Sequence, residues 1–154
     1  MFHIILYQPE IPPNTGNIIR MCANAGAHLH LIEPLGFDID AKAVRRSGMD
    51  YAELADVKTW PSFDACLEAV NPARWFAVST RSTTRYDTVR YARGDAFVFG
   101  PETRGLPQAL IEACPAERRI RIPMRPGNRS LNLSNAAAVV VFEAWRQNNF
   151  DSSG

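Results

Sequence analysis

Three stretches of this sequence combine residue types that hold anions, sugars or rings. The first, Pro12-Pro13-Asn14-Thr15-Gly16-Asn17-Ile18-Ile19-Arg20, sets amide side chains and an arginine just after a rigid proline turn. A helix that begins there exposes free backbone N–H donors, which suit a phosphate or a ribose. Arg20 faces either the same cleft or open water. The second, Phe99-Gly100-Pro101-Glu102-Thr103-Arg104-Gly105-Leu106-Pro107, puts two glycines around a carboxylate and a guanidinium. Gly100 allows a ligand close to the backbone and Gly105 a positive-φ turn; the plainer reading is a turn with Glu102 and Arg104 paired on the surface. The third runs from Ile122 to Asn135 and is rich in Pro, Gly, Asn and Ser, with Arg125 and Arg129. Ser134 is placed to cap the helix that follows, whereas Ser130 and Asn132 have no such structural task.

The chemistry left out is informative. Neither a Gly-x-Gly-x-x-Gly fingerprint nor a Gly-Lys-Ser/Thr phosphate loop is present, so the usual dinucleotide and nucleotidase readings lose their support. No histidine lies near the three stretches and no serine sits in a Gly-x-Ser-x-Gly elbow, which disfavours covalent hydrolysis. A preactivated donor that needs mainly positioning fits better.

The elements that position these stretches alternate between strand and helix. Strands are expected at Phe2–Tyr7, His28–Ile32, Trp75–Ser79, Ala96–Phe99 and Arg119–Ile122, with a short extended stretch at Asp56–Trp60. Helices are expected from Asn14 or Thr15, as cap, to Ala25, over Ser62–Val70, Pro107–Cys114 and Ser134–Asn148, with one turn at Ala41–Arg46. Such alternation gives an α/β fold, a mostly parallel sheet with helices on both faces. In that fold ligands bind where loops leave the carboxyl ends of strands, here after Tyr7, Ser79, Phe99 and Ile122. Residues 1–148 read as one domain and 149–154 as a frayed tail.

Composition narrows the class. Hydrophobic residues at 46% and charged residues at 21% exclude disordered and fibrous chains. The longest apolar run, Ala136 to Phe142, is too short to span a bilayer and no signal peptide is recognisable, so a cytoplasmic, non-membrane protein is expected. Cys22, Cys66 and Cys114 are odd in number and widely spaced, and His28 and His30 lack a nearby third ligand, so no metal is expected. The net charge of +1 hides an asymmetry: residues 1–73 hold five basic and nine acidic side chains, residues 74–129 eleven arginines and five acids. That segment is either an RNA footprint, through guanidinium forks on phosphates, or a trace of arginine-favouring coding.

Together the three stretches, NTGNIIR, FGPETRGLP and IRIPM…RSLNLSNAAAVVVFEAWRQ, resemble the three motifs of the SPOUT RNA methyltransferases. The match begins at YQPEIPPNTGNIIRMCAN and covers nearly the whole chain. It is nearest to the small bacterial members that methylate the 2′-hydroxyl of the wobble cytidine or uridine, nucleotide 34, in the tRNA anticodon arm, with leucine tRNAs as expected substrates. The resemblance implies a C-terminal trefoil knot, which general connection rules would not suggest. It implies S-adenosyl-L-methionine as cofactor, contacted by Val78, Gly100, Ile122, Ser130 and Leu131, in a homodimer whose partner chain completes the site. Arg20 carries over as the central catalytic residue, with Asn14, Glu102, Ser130 and Asn132 in support. Arginine holds its proton in proteins, so stabilising developing negative charge suits it better than acting as a base.

RNA contacts are expected from Arg81, Arg85, Arg125 and Arg129. Lacking room for a separate RNA-binding domain, the dimer surface itself would read the anticodon arm. The final helix, with Phe142 and Trp145, is the expected interface, although Phe142 replaces a tyrosine common in relatives and the helix's apolar stripe also suits an ordinary core. The same chemistry on ribosomal RNA and a non-catalytic RNA-binding module stand as alternatives. A flavodoxin-like regulatory domain would need an acidic phosphorylation pocket, for which no Asp cluster exists at the strand ends.

Overall fold

Alternating side chains in His-Ile-Ile-Leu-Tyr and His-Leu-His-Leu-Ile point to opposite faces of a sheet, and both faces are covered. The computed structural model describes residues 1–39 and 56–154; the turn expected at Ala41–Arg46 lies outside them. Strands β1 (His3–Tyr7), β2 (His28–Ile32), β3 (Val57–Trp60), β4 (Trp75–Val78), β5 (Thr84–Arg85), β6 (Ala96–Phe99) and β7 (Arg119–Arg121) form one sheet. Its order is β3-β2-β1-β6-β4-β7-β5, and every pairing is parallel. Strand β5, two residues long and paired only to β7, has no counterpart in the sequence reading.

Helices α1 (Pro12–Ala25) and α4 (Leu133–Gln147) cover one face. There Ile18, Ile19, Cys22, Ala137, Val140, Val141 and Ala144 pack on Ile4, Leu6, Leu29, Leu31, Phe97 and Phe99. Helices α2 (Phe63–Val70) and α3 (Gln108–Ala113) cover the other, where Cys66, Leu106, Ile111 and Cys114 meet Ile5, Ile32, Ala77, Ala96 and Val98. All four residues of β6 are buried, as a strand covered on both faces requires.

Helix ends differ from the sequence reading in two places. Helix α1 starts at Pro12 with Ile11 as its N-cap and no side-chain cap, where Asn14 or Thr15 was expected. Two prolines in the first turn remove the N–H groups a cap would serve, which frees the Asn14 side chain. Helix α4 is capped by Asn132 and not by Ser134. The Asn132 Oδ1 accepts from Ser134 N at 2.9 Å, Asn135 N at 3.4 Å and Ser134 Oγ at 2.5 Å. Helix α1 ends at Ala25 as expected, with Gly26 closing it in the left-handed region at φ 73°, and Ser62, expected as the first residue of α2, is its N-cap, its Oγ accepting from Ala65 N at 3.0 Å.

Residues 149–154 turn back on α4. Trp145 Nε1 donates to the Asp151 carbonyl at 2.9 Å, the Phe150 ring sits edge-on to Trp145 at 5.3 Å, and Arg93 pairs with Asp151 at 3.0 Å. All three cysteines are buried and free, and burial pushes the Cys22 thiol up to about 12 and that of Cys66 to about 11. Among the described residues no helix is long and apolar enough to cross a membrane.

Candidate active site

Strands β1 and β6 are neighbours, yet the chain leaves them in opposite directions along the sheet, through α1 to β2 and through α3 to β7. Right-handed crossovers in opposite directions put these helices on opposite faces, so the loops after β1 and β6 part and leave a crevice. A cavity of about 470 Å³ opens there, within the usual range for a small-molecule site. Its walls come from the loops after all four strands named above: Ile11 and Asn14, Val78 to Arg81, Phe99 to Leu106, and Ile122, Met124 and Arg129 to Leu133.

The loops are locked to each other by reciprocal hydrogen bonds. Glu102 Oε1 accepts from Glu10 N at 2.8 Å, and Oε2 from Ile11 N at 2.7 Å and Asn14 Nδ2 at 3.2 Å. In return Glu10 Oε1 accepts from Thr103 N at 3.0 Å and Thr103 Oγ1 at 2.7 Å, and these bonds hold the Glu10 carboxyl below its ordinary value. Asn14 Oδ1 then accepts from Asn132 Nδ2 at 2.9 Å, tying the third loop to the first two. Glu102 therefore serves the neighbouring loop and does not form the surface pair with Arg104 weighed above. Asn132, which had no evident structural task in the sequence, both caps α4 and holds Asn14.

Gly100 explains the tightness of the second loop. A Cβ there would lie 2.1 Å from Leu106 N and 2.2 Å from the Gly105 carbonyl carbon, both backbone atoms that cannot swing aside. Gly105 adopts φ 68° in the same turn.

Each expected site residue can now be placed. Val78, Gly100, Ile122, Ser130 and Leu131 all line the cavity, as do Asn14, Glu102 and Asn132. Arg20 does not; it is exposed on α1, six residues and roughly 9 Å along the axis from Asn14. Of the arginines expected to meet RNA, Arg125 and Arg129 are exposed in the loop before α4. Arg85 is turned onto Asp87, with Nη2 2.7 Å from the carboxylate. Arg81 Nη1 donates to Gln108 Oε1 at 2.9 Å, and its Nη2 donates to the Leu106 carbonyl. Others in the basic segment are structural, such as Arg74 on the buried Asp95 at 2.6 Å and Arg119 on the Cys114 carbonyl at 2.7 Å. Glu10 and Thr103 were missed, although both lie within the quoted motifs; a lone carboxylate shows no partner in sequence.

The histidines sit elsewhere, on strands. Trp60 Nε1 donates to His30 Nδ1 at 3.0 Å, and His30 Nε2 lies 3.1 Å from His3 Nδ1. Burial first, then neighbouring positive charge, pushes both rings down to about 4. Among the described residues no three His, Cys, Asp or Glu side chains are grouped to hold a metal.

Comparison with known proteins agrees with this geometry. The profile of the SpoU rRNA methylase family matches residues 1–142. A tRNA (cytidine(34)-2′-O)-methyltransferase of Aeromonas hydrophila is 62% identical over 96% of this chain and 94% of its own. Its namesake in Escherichia coli (strain K12) is 58% identical with the same coverage. A solved structure concerned with 2-OH methylation of C/U34 on tRNA superposes with a TM-score of 0.88 at 44% identity, covering 97% of both chains. The methyltransferase AviRb of Streptomyces viridochromogenes, solved with AdoMet, gives 0.81 at 25% identity, covering 99% of this chain and 58% of that one. With a family match over nearly its full length and relatives this similar, the chain belongs to the SpoU rRNA methylase family.

Proposed function

We propose that this chain is an S-adenosyl-L-methionine-dependent methyltransferase acting on the ribose 2′-hydroxyl of the pyrimidine at position 34 of tRNA. The observation that carries the reading is the hydrogen-bonded set Asn14, Glu102 and Asn132 in the wall of a cavity that Val78, Gly100, Ile122, Ser130 and Leu131 also line. Relatives named for this reaction at 54–62% identity over nearly the full chain favour tRNA over ribosomal RNA.

The residues present fit the cofactor. Gly100 lets the backbone at Gly105 and Leu106 close against it in the cavity wall, and Val78, Phe99, Ile122 and Leu131 supply apolar walls for a purine ring. When bound, the cofactor supplies an electrophilic methyl on its sulfonium. The chain's own task is to orient the ribose hydroxyl in line with that methyl and to stabilise the charge on oxygen as its proton leaves. Glu102 holds Asn14 by its Nδ2 and Asn132 holds it by its Oδ1, so that amide stands in one fixed orientation. We assign Arg20 to the charge-stabilising role.

Arg20 is exposed and does not line the cavity, and Ser130, Leu131 and Asn132 are exposed, which supports a homodimer in which the partner's Arg20 completes the site. Helix α4, with Phe142 40% exposed, is the proposed interface. Arg125 and Arg129 are the proposed phosphate contacts, a cytoplasmic location follows from the substrate, and leucine tRNAs are the expected isoacceptors.

The test is methyl transfer from labelled S-adenosyl-L-methionine to tRNA from cells lacking this gene, read as nucleosides. A 2′-O-methylpyrimidine confined to position 34, reduced at least about a hundredfold by Arg20→Ala, is the expected result. Transfer to ribosomal RNA alone would move the substrate. Cofactor binding without transfer to either would overturn the catalytic reading.

A further inference from the structure

Arg81 was expected among the RNA contacts, yet its exposed guanidinium is engaged by other residues of the protein at the cavity rim. The turn that carries it is closed by its own hydrogen bonds: Arg81 N donates to Ser79 Oγ at 3.1 Å, and Ser82 N to the Ser79 carbonyl at 3.2 Å. Ser79 N in turn donates to the Ile120 carbonyl at 3.0 Å, fixing the turn to β7. From that anchored backbone the guanidinium reaches across to the loop after β6. One nitrogen donates to the carbonyl of Leu106 and another, at 2.9 Å, to Gln108 Oε1 at the start of α3.

Leu106 is the residue whose backbone nitrogen lies where a Gly100 Cβ would be, and its side chain is 1% exposed. A bond to its carbonyl therefore bears on the close approach of Leu106 to Gly100, which forms part of the cavity wall. On the opposite flank the same loop is held by Glu10 through Thr103. Without the Arg81 bonds the described structure shows no side chain from the loop after β4 holding this flank.

We propose that Arg81 is a positioning residue for the methyl-donor site, bracing the 100–107 loop in the shape that accepts S-adenosyl-L-methionine, and not a phosphate contact for RNA. The proposal rests on the methyltransferase reading above. Arginine suits the task because a planar fork of donors spans a carbonyl and an amide oxygen at once, which a lysine ammonium on a flexible stem does less well.

Two measurements on the full-length protein separate the roles. Calorimetric titration with S-adenosyl-L-methionine, without RNA, should show Arg81→Ala binding at least about tenfold more weakly than wild type, as loss of a charge-assisted hydrogen bond implies. Arg81→Lys should fall between the two. The KM for the donor should rise in step while kcat falls less than about threefold. Affinity for tRNA across a salt series should keep its slope, whereas loss of a phosphate contact would reduce that slope by about one. Thermal unfolding without cofactor checks that the variant is folded; Gln108→Ala, which keeps the Leu106 bond, should weaken donor binding less than Arg81→Ala. Unchanged donor affinity in Arg81→Ala overturns the proposal, as does a reduced salt slope for tRNA. A wild-type chain that binds no S-adenosyl-L-methionine overturns the methyltransferase reading and this proposal with it.

Discussion

Asn132 has two jobs on two different atoms, and that makes them separable. Its oxygen caps α4 while its nitrogen holds Asn14. Aspartate caps as well as asparagine but has no N–H to offer and brings a second negative charge toward Glu102. Asn132→Asp should therefore keep stability to chemical denaturation within about 0.5 kcal/mol of wild type, and lose methyl transfer about a hundredfold through a misplaced Asn14. Asn132→Ala should lose both, with about 1 kcal/mol of stability gone. Equal activity in the aspartate variant and wild type would show that the Asn14 bond is idle. Glu10 carries the complementary lesson: it looks like a surface acid in the sequence, and only the fold reveals that its oxygen meets Thr103 across 93 residues.

Strand register decides the fate of the histidines. The pairing of β1 with β2 and of β2 with β3 puts His3, His30 and Trp60 on one face. Indole N–H can only donate, so His30 accepts at Nδ1 and keeps its proton on Nε2, which then points at His3. The chain of bonds needs both rings neutral. Both have folded values near 4 against 6.5 for the free side chain, so the unfolded chain binds protons first as pH falls. This contribution to stability is intact above about pH 6.5 and declines progressively toward pH 4. Urea unfolding at steps from pH 7.5 to 4.5 should show that decline, and His30→Gln should flatten it; an equally steep decline in the variant would remove the histidines as its cause.

Elements were legible where a period or a breaker marked them. His28–Ile32 and Ala96–Phe99 match their expected bounds, α1 ends at Ala25 as expected, and α2 starts within one residue of its expected start. The cap of α1 was misplaced because two prolines cancel the need for one, an effect of missing donors that residue preference alone does not register. Strand β5 exists only through its pairing with β7, and nothing local in Thr84-Arg85 announces it. The three loops were legible as unusual. Their convergence was not, because it depends on β1 and β6 lying side by side. The arginine count likewise could not distinguish Arg74 and Arg81, engaged within the fold, from Arg125 and Arg129 in the open loop.

At the scale of the molecule, α1 and α4 pack together on one face, leaving Phe142 exposed and edge-on to Trp145 at 5.6 Å. If this is the homodimer contact, a buried charge there is costly. Phe142→Glu should shift sedimentation from dimer toward monomer and depress methyl transfer with it, while circular dichroism stays native. A wild-type chain that sediments as a monomer at micromolar concentration would sink the interface. The reach of the site's bonds has a further consequence. Glu102 meets Glu10 across 92 residues and Asn132 meets Asn14 across 118, so the polar cluster joins the two halves of the chain. Contacts this distant carry a large loop-closure entropy, which slows folding. A chain cut short before residue 132 lacks the amide that holds Asn14 and caps α4. Assembly of the site thus requires the chain at least through residue 132.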